Sequence, residues 1–201
     1  MFRDPGSVEY IRQRNREQFR KLRWKGQRQQ LWARICGTSN RLIPLSEVEP
    51  VISISSRYDA GIKPVVLNQI IGSYGRSRDF DRYFRPLKGH NQERWQSIAT
   101  ARETCANLPV IELIQIGEHY FVLDGHHRIS VAKLLGQKEM EAAVDVWETE
   151  GDIEEIVTIT IGTNHMIRAI NLIKKMIQRV RDYSSGQGFP PNGSGYLLQP
   201  R

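Results

Sequence analysis

The first long pattern of apolar and polar positions, in residues 7–36, predicts a helix that is mostly polar. Seven apolar residues recur at roughly helical spacing and form a partial stripe: Val8, Ile11, Phe19, Leu22, Leu31, Trp32 and Ile35. Ser7 is suited to cap the helix start, and Gly37 is suited to end the helix. Gly26 is expected to weaken the middle and to favour a break into two helices.

The middle of the chain has a less regular pattern and predicts short elements. Residues 51–54 and Pro64–Leu67 are apolar enough for short strands, and a turn is expected between them at Asp-Ala-Gly-Ile-Lys-Pro. Residues 68–90 are rich in glycine and charge and predict a loop. A helix is expected for about 91–106, with Asn91 as its cap.

The clearest pattern begins at Pro109 and alternates short apolar runs with turn residues. VIELIQI predicts a strand, Gly117-Glu118 predicts a two-residue hairpin, and HYFVLD predicts the returning antiparallel strand. A short apolar helix is expected over about 127–135 and ends at Gly136. MEAAVDVW predicts a further strand.

The last quarter of the chain predicts two more elements and a tail. The apolar run IVTITI favours a strand but also fits a helix start, and residues 164–182 have amphipathic helical spacing. Together the patterns predict an α/β (α+β) fold, a small mixed sheet with helices, plus a basic N-terminal helix and a C-terminal amphipathic helix. The expected divisions are a basic helical arm (1–37), a linker or support segment (38–62), an α/β domain (63–148), a strand and helix extension (149–183) and a disordered tail (184–201).

Charge is concentrated at one end of the chain. The net charge is +7, and residues 1–36 carry all of it, with ten Lys or Arg and three Asp or Glu. The remaining residues carry 19 charges of each sign. This asymmetry predicts an arm that contacts a polyanion, DNA or RNA. Trp24 and Trp32 among the arginines also fit an anionic membrane surface, but the break expected at Gly26 argues against it.

Several classes of protein are disfavoured by what the sequence lacks. No apolar run approaches the length of about 18 residues that a membrane span needs, and the first residues contain no apolar signal segment. The two cysteines, Cys36 and Cys105, do not make a disulfide framework. A cytoplasmic location is therefore expected.

The candidate chemistry lies where the strand HYFVLD gives way to the next helix. Five polar or permissive residues follow one another there, and a hydroxyl comes in the same turn of helix: Asp124, Gly125, His126, His127 and Arg128, with Ser130. Free N–H groups at a helix start attract anions, glycine lets the backbone approach a ligand, and arginine suits phosphate. The pattern predicts a phosphate-binding turn. An ordinary solvated Asp-Gly turn is the competing interpretation, and zinc is disfavoured because no further ligand has suitable spacing.

A second polar segment, GSYGRSRDFDRYFRP (72–86), interleaves arginines and aspartates with aromatic residues. Arg76 and Arg78 are suited to close over a triphosphate, and the aromatic rings to stack on a base. Asp79 and Asp81 are candidates for binding Mg²⁺ or acting as a base, and Asp124 is the third candidate catalytic carboxylate. The competing interpretation is a salt-bridged surface loop whose phenylalanines fill the core.

The stretch YFVLDGHHRISVAKLLG resembles the ParB/sulfiredoxin superfamily, as does KPVVLNQIIGS more weakly, so that the resemblance covers about residues 63–148. Gly125, His127 and Arg128 match the Gly-Cys-His-Arg turn of sulfiredoxins, and Gly125 and Arg128 match the Gly-Glu-Arg-Arg turn of ParB-like proteins. His126 stands where sulfiredoxins have their catalytic cysteine, so sulfinic-acid reduction is not expected.

The resemblance implies that the turn at 124–128 contacts nucleotide phosphates. The expected cofactor is a nucleoside triphosphate, CTP or ATP, with Mg²⁺, and no separate metal site is expected. The resulting interpretation is a ParB-like nucleotide-binding module associated with DNA or RNA through residues 1–36. The alternative is a small-molecule phosphotransferase similar to free-serine kinases, which uses the same turn and needs a carboxylate base. Whether the chain is an enzyme stays open.

Overall fold

The computed structural model describes residues 7–150, so the elements predicted after residue 150 and the predicted tail lie outside the described residues. Within that range, one mixed sheet packs with helices, and the predicted α+β class is confirmed. The helices are α1 (Val8–Ile35), α2 (Leu45–Val48), α3 (Gln92–Glu103) and α4 (His126–Leu134). The strands are β1 (Ile43–Pro44), β2 (Ser53–Val66), β3 (Ile70–Ser73), β4 (Ile111–Ile116), β5 (His119–Asp124) and β6 (Glu139–Glu150).

The sheet has the order β1-β3-β5-β4-β6-β2 and mixes both strand directions. Strands β4 and β5 form the predicted antiparallel hairpin, and β2 pairs antiparallel with β6. The pairs β1–β3, β3–β5 and β4–β6 are parallel. This order brings the ends of β3 and β5 side by side, and Ser73 is paired with Val122 there.

Strand β2 corrects the expectation of two short strands around a turn. It runs unbroken along β6, with register shifts between Ile54 and Ser56 and between Asp59 and Ile62. Its polar middle is exposed and is held by backbone pairing rather than by burial, which is why hydrophobic spacing does not predict it. Strand β3 likewise lies in a segment for which only a loop was predicted.

Helix α1 corrects the expectation of a break at Gly26, because it is continuous over 28 residues. Gly26 is buried where the helix crosses the loop after β3, and a Cβ atom there would lie 3.2 Å from the Leu87 side chain. Close packing therefore offsets the intrinsic cost of a glycine in a helix. The predicted Ser7 cap is confirmed, since its side chain accepts a hydrogen bond from the Tyr10 N–H.

The core lies on both faces of the sheet. One face carries a cluster built around Phe80, Phe84 and Ile129, and the opposite face packs Leu45 and Val48 of α2 against Phe121. A third cluster joins α1, α3 and α4, with the rings of Phe19 and Trp95 5.7 Å apart. The first half of α1 is therefore packed on the α/β body.

None of the helices in residues 7–150 has the length and apolar character needed to cross a bilayer.

Candidate functional site

The turn between β5 and α4 is built around Gly125, whose φ of 106° is in the left-handed region. A Cβ atom there would lie 2.5 Å from Ile111 Cγ2, so conformation and space both require glycine. The first hydrogen bond of α4 runs from the Ile129 N–H to the Gly125 carbonyl, and no side chain caps the helix. The N–H groups of the first turn therefore have no capping side chain.

His126 is buried and is held by Ser73 at the end of β3. Its Nε2 lies 2.6 Å from Ser73 Oγ, which accepts a hydrogen bond from the Arg76 N–H at 3.1 Å. Ser73 Oγ and His126 Nε2 share one hydrogen bond, whose donor depends on the tautomer of the ring. Burial, aided by the charges of Arg76 and His127, lowers the pKa of His126 to about 4. The ring also stacks on Phe80, with centroids 5.8 Å apart.

His127 is only 4% exposed, yet neither of its ring nitrogens has a hydrogen-bond partner. Burial, followed by the charges of Arg94 and Arg76, lowers its pKa to about 4, while Asp79 acts in the opposite direction. A buried polar group without a partner costs about 1–3 kcal/mol. The ring thus has unused hydrogen-bonding capacity beside an uncapped helix start.

The charges around the two histidines come from two separate segments. Arg76 follows β3, whereas Arg94 lies in the first turn of α3 and His90 lies just before that helix, and all three lower the pKa of His127. Arg94 was missed by sequence reasoning because nothing in its local sequence links α3 to the turn. Arg78 is exposed on the same loop as Arg76, and its part in the site stays a prediction.

Arg128 lies at the turn, but its guanidinium is committed to protein acceptors. It donates to the carbonyls of Pro109 and Val110 and to the Asp124 carboxylate, and its side chain is 10% exposed. In this geometry Arg128 is a clamp on the start of β4, and its expected role as a phosphate ligand stays a prediction. Asp124 is the ion-pair partner of Arg128, its side chain is 52% exposed, and its role as a catalytic carboxylate also stays a prediction.

Asp81 has the surroundings of a structural residue, and its role as a metal ligand or base stays a prediction. It is fully buried, and its carboxylate accepts from the backbone N–H groups of Tyr83 and Arg85, from the Arg85 guanidinium and from the Asn40 amide. Both oxygens are therefore used in holding the loop after β3. Phe80 lies in the core, as the competing interpretation of this segment expected.

Two candidate carboxylates act on the histidines: Asp124 raises the pKa of His126, and Asp79 acts on both rings. The field of Asp79 raises the pKa of both His126 and His127, in opposition to the arginines. The Asp79 side chain is 15% exposed and forms an ion pair with Lys88, with 2.8 Å between Oδ1 and Nζ.

Ser130 lies in α4 one turn after His126. Its Oγ accepts a hydrogen bond from the Trp95 indole N–H at 2.9 Å, and this bond joins α4 to α3. Within residues 7–150, no cluster of three or more His, Cys, Asp or Glu side chains is arranged to hold a metal ion.

Comparison with solved structures gives distant similarities. A crystal structure of sulfiredoxin from Arabidopsis thaliana aligns with a TM-score of 0.34 and 14% sequence identity, and the alignment covers 50% of this chain and 96% of the sulfiredoxin chain. A similarity this distant does not bear on activity. No protein-family model matches the chain, and no curated protein matches its sequence.

Proposed function

We propose that the turn at 124–130 binds a phosphate group of a nucleoside triphosphate, CTP or ATP, with Mg²⁺. The observation that carries this proposal is the buried, unpartnered imidazole of His127 beside the uncapped start of α4. A phosphate oxygen accepts from a neutral imidazole N–H and from helix N–H groups, so one anion satisfies both.

The surrounding charges favour an anion over a neutral ligand. Arg76 and Arg94 stand near His127, and both are exposed, so their guanidinium groups are free to turn toward phosphate oxygens. His126 serves a different purpose, because its Nε2 is already used by Ser73. In this proposal His126 orients the turn, while His127 and the two arginines contact the ligand.

A second candidate function, phosphate transfer to a small molecule, is favoured by Asp79. It is the partly buried carboxylate whose field reaches both histidines, and a base near the transferred phosphate is what this chemistry needs. Its ion pair with Lys88 would have to open for Asp79 to accept a proton. The two functions differ in turnover, since binding alone leaves the triphosphate intact.

We further propose that α1 associates this module with DNA or RNA. Eight basic residues of α1 are exposed: Arg12, Arg14, Arg16, Arg20, Lys21, Lys25, Arg28 and Arg34. Of these, Arg14 forms an ion pair with Glu103. Trp24 and Trp32 are 57% and 60% exposed on the same helix, and the Arg28 guanidinium lies 4.4 Å from the Trp24 ring centroid. Positive charge with exposed aromatic rings suits nucleic-acid phosphates and bases.

Calorimetry with CTP, ATP, GTP and ADP, each with and without Mg²⁺, tests the nucleotide proposal, and product analysis of the same mixtures tests turnover. His127→Phe keeps the ring volume and removes the hydrogen bond, and Arg94→Ala removes one charge. Each substitution is expected to weaken binding about tenfold to a hundredfold. Arg102→Ala, on the same helix as Arg94, is the matched control and should bind like the parent. Equal affinity of His127→Phe and the parent would refute the assignment.

A further inference from the structure

A cavity of about 570 Å³ lies between α1, the turn at residues 83–85 and α4. We call it the Lys133 groove. Its volume is in the range of small-molecule sites. Residues from four parts of the chain line it, among them Lys25, Tyr83, Phe84, Arg85, Ser130 and Lys133.

The lining of the Lys133 groove is positively charged, because it includes Lys25, Arg85 and Lys133 but no aspartate or glutamate. The Arg85 charge is compensated by an ion pair with Asp81, behind the groove, and its guanidinium also contacts the Gln29 side chain. The two lysines have no carboxylate partner in residues 7–150. An uncompensated pair of lysines in a concave surface attracts anions.

Lys133 is the half-buried member of the pair. Its Nζ lies 5.0 Å from the ring centroid of Phe84, which supports the ammonium through a cation–π contact. Burial lowers the pKa of Lys133, and the nearby Asp81 opposes that shift. A desolvated cation without an ion-pair partner gains more electrostatic free energy from a bound anion than a surface lysine does.

The floor of the groove is held in an unusual backbone conformation. Phe84 has a φ of 60°, which is uncommon for a bulky residue, and its N–H donates to the Asp81 carbonyl at 2.8 Å. This turn places the Phe84 ring in the core beneath Lys133 and leaves Tyr83 48% exposed at the groove. Strained turns of this kind occur often at ligand sites.

We propose that the Lys133 groove binds a small anionic compound with an aryl group, its phosphate or carboxylate at Lys133 and Lys25 and its ring against Tyr83. The groove shares Ser130 with the turn at 124–130, but Gly125, His126 and His127 do not line it. The anion contacts proposed at Lys133 and Lys25 therefore differ from those proposed for the turn.

Phenyl phosphate and benzoate are suitable probes, because they share the aryl group and differ in the acid. Binding is followed by NMR titration, with protection of Lys133 from trinitrobenzenesulfonate as a second measurement. At least one probe is expected to bind saturably, shift resonances of residues 83–85 and protect Lys133. Lys133→Met, which preserves the aliphatic stem, should weaken binding at least tenfold. Lys138→Met, an exposed lysine just beyond α4, should leave affinity unchanged.

His127→Phe separates this proposal from the nucleotide proposal. It should abolish triphosphate binding at the turn and leave probe binding at the Lys133 groove unaltered. The groove is refuted if Lys133→Met binds both probes as the parent does, if neither probe saturates, or if the shifts map only to the start of α4. In that last case the probe occupies the phosphate turn instead.

Discussion

The Nε2 atom of His126 lies 2.6 Å from the Oγ atom of Ser73, and this contact joins the start of α4 to the end of β3 across 53 residues of sequence. The same hydroxyl accepts a hydrogen bond from the Arg76 N–H, so one buried side chain holds both the turn and the arginine loop. Ser73 was not among the predicted site residues, because a serine at the end of a short strand has no distinctive local pattern. Its role depends on the parallel pairing of β3 with β5.

Ser73→Ala should lower the free energy of unfolding by about 1–3 kcal/mol, because it leaves buried His126 Nε2 without a partner. Ser97→Ala is the matched control. Ser97 donates to a backbone carbonyl on the exposed side of α3, and its loss should cost less than about 0.5 kcal/mol. Urea unfolding of both variants measures the difference. If the two variants lose equal stability, the Ser73–His126 contact does not hold the turn.

Stability should fall as the pH is lowered from about 6.5 to about 4. The folded-state pKa values of His126 and His127 are both about 4, against an ordinary value of 6.5, so the unfolded chain takes up protons first. Each histidine then contributes stability that is present above pH 6.5 and is lost as the pH approaches 4, roughly 3 kcal/mol at most.

The comparison that isolates this effect is urea unfolding of the parent and of His127→Phe at pH 7 and pH 4.5. Carboxylates that titrate in this range affect both proteins alike. The parent should lose about 2–3 kcal/mol more than the variant between the two pH values. Identical losses would mean that His127 is not a neutral buried group in the folded protein.

Arg128→Ala is expected to act on stability more than on ligand affinity. The guanidinium ties α4 to the backbone carbonyls just before β4, and its removal leaves those carbonyls and Asp124 without their donor. A loss of about 1–3 kcal/mol in the free energy of unfolding is expected. Arg102→Ala, which removes an arginine from α3, is the control. If the Arg128→Ala protein is as stable as the parent and its nucleotide affinity is reduced a hundredfold, Arg128 contacts the nucleotide directly.

Patterns that depend on neighbouring residues predicted the fold well. The hairpin of β4 and β5 follows from alternating apolar residues around Gly117-Glu118, and the glycine turn before α4 follows from Asp124-Gly125. The conformation of Gly125 is visible in the sequence because only glycine adopts it readily. What the sequence does not contain is the partner: β2 is a strand because β6 pairs with it, and its own residues are mostly polar.

The same limit applies to the site. Asp81 and Arg128 have the composition of ligand-binding residues, and only the fold reveals that their polar atoms are already used by the protein. His127 is the opposite case. Nothing in the sequence distinguishes it from a solvated histidine, but the fold buries its ring and leaves both ring nitrogens without a hydrogen-bond partner. Gly26 shows that a propensity penalty of about 1 kcal/mol is readily outweighed by close packing.

The association of α1 with nucleic acid is best tested by substitutions that remove exposed charges and leave the helix in place. Deletion of α1 would disturb the fold, because Phe19 of this helix is part of the core. Replacing the exposed Arg16, Arg20 and Arg34 with glutamine should weaken binding to random-sequence duplex and lower the dependence on salt. Each lost phosphate contact reduces the slope of log affinity against log salt by about 0.9 for duplex, so loss of all three lowers it by roughly 2–3.

The matched control replaces three exposed basic residues outside α1 with glutamine, Arg57, Arg102 and Lys138, and should retain the parent's affinity and salt slope. Vesicles of anionic lipid form the other arm of the experiment. The continuity of α1 removes the objection to a membrane surface, and Leu31, Trp32 and Ile35 are 59–69% exposed. Binding to vesicles together with no shift of duplex or single strand at low salt would contradict the nucleic-acid proposal, because the same charges and rings would then serve a lipid surface.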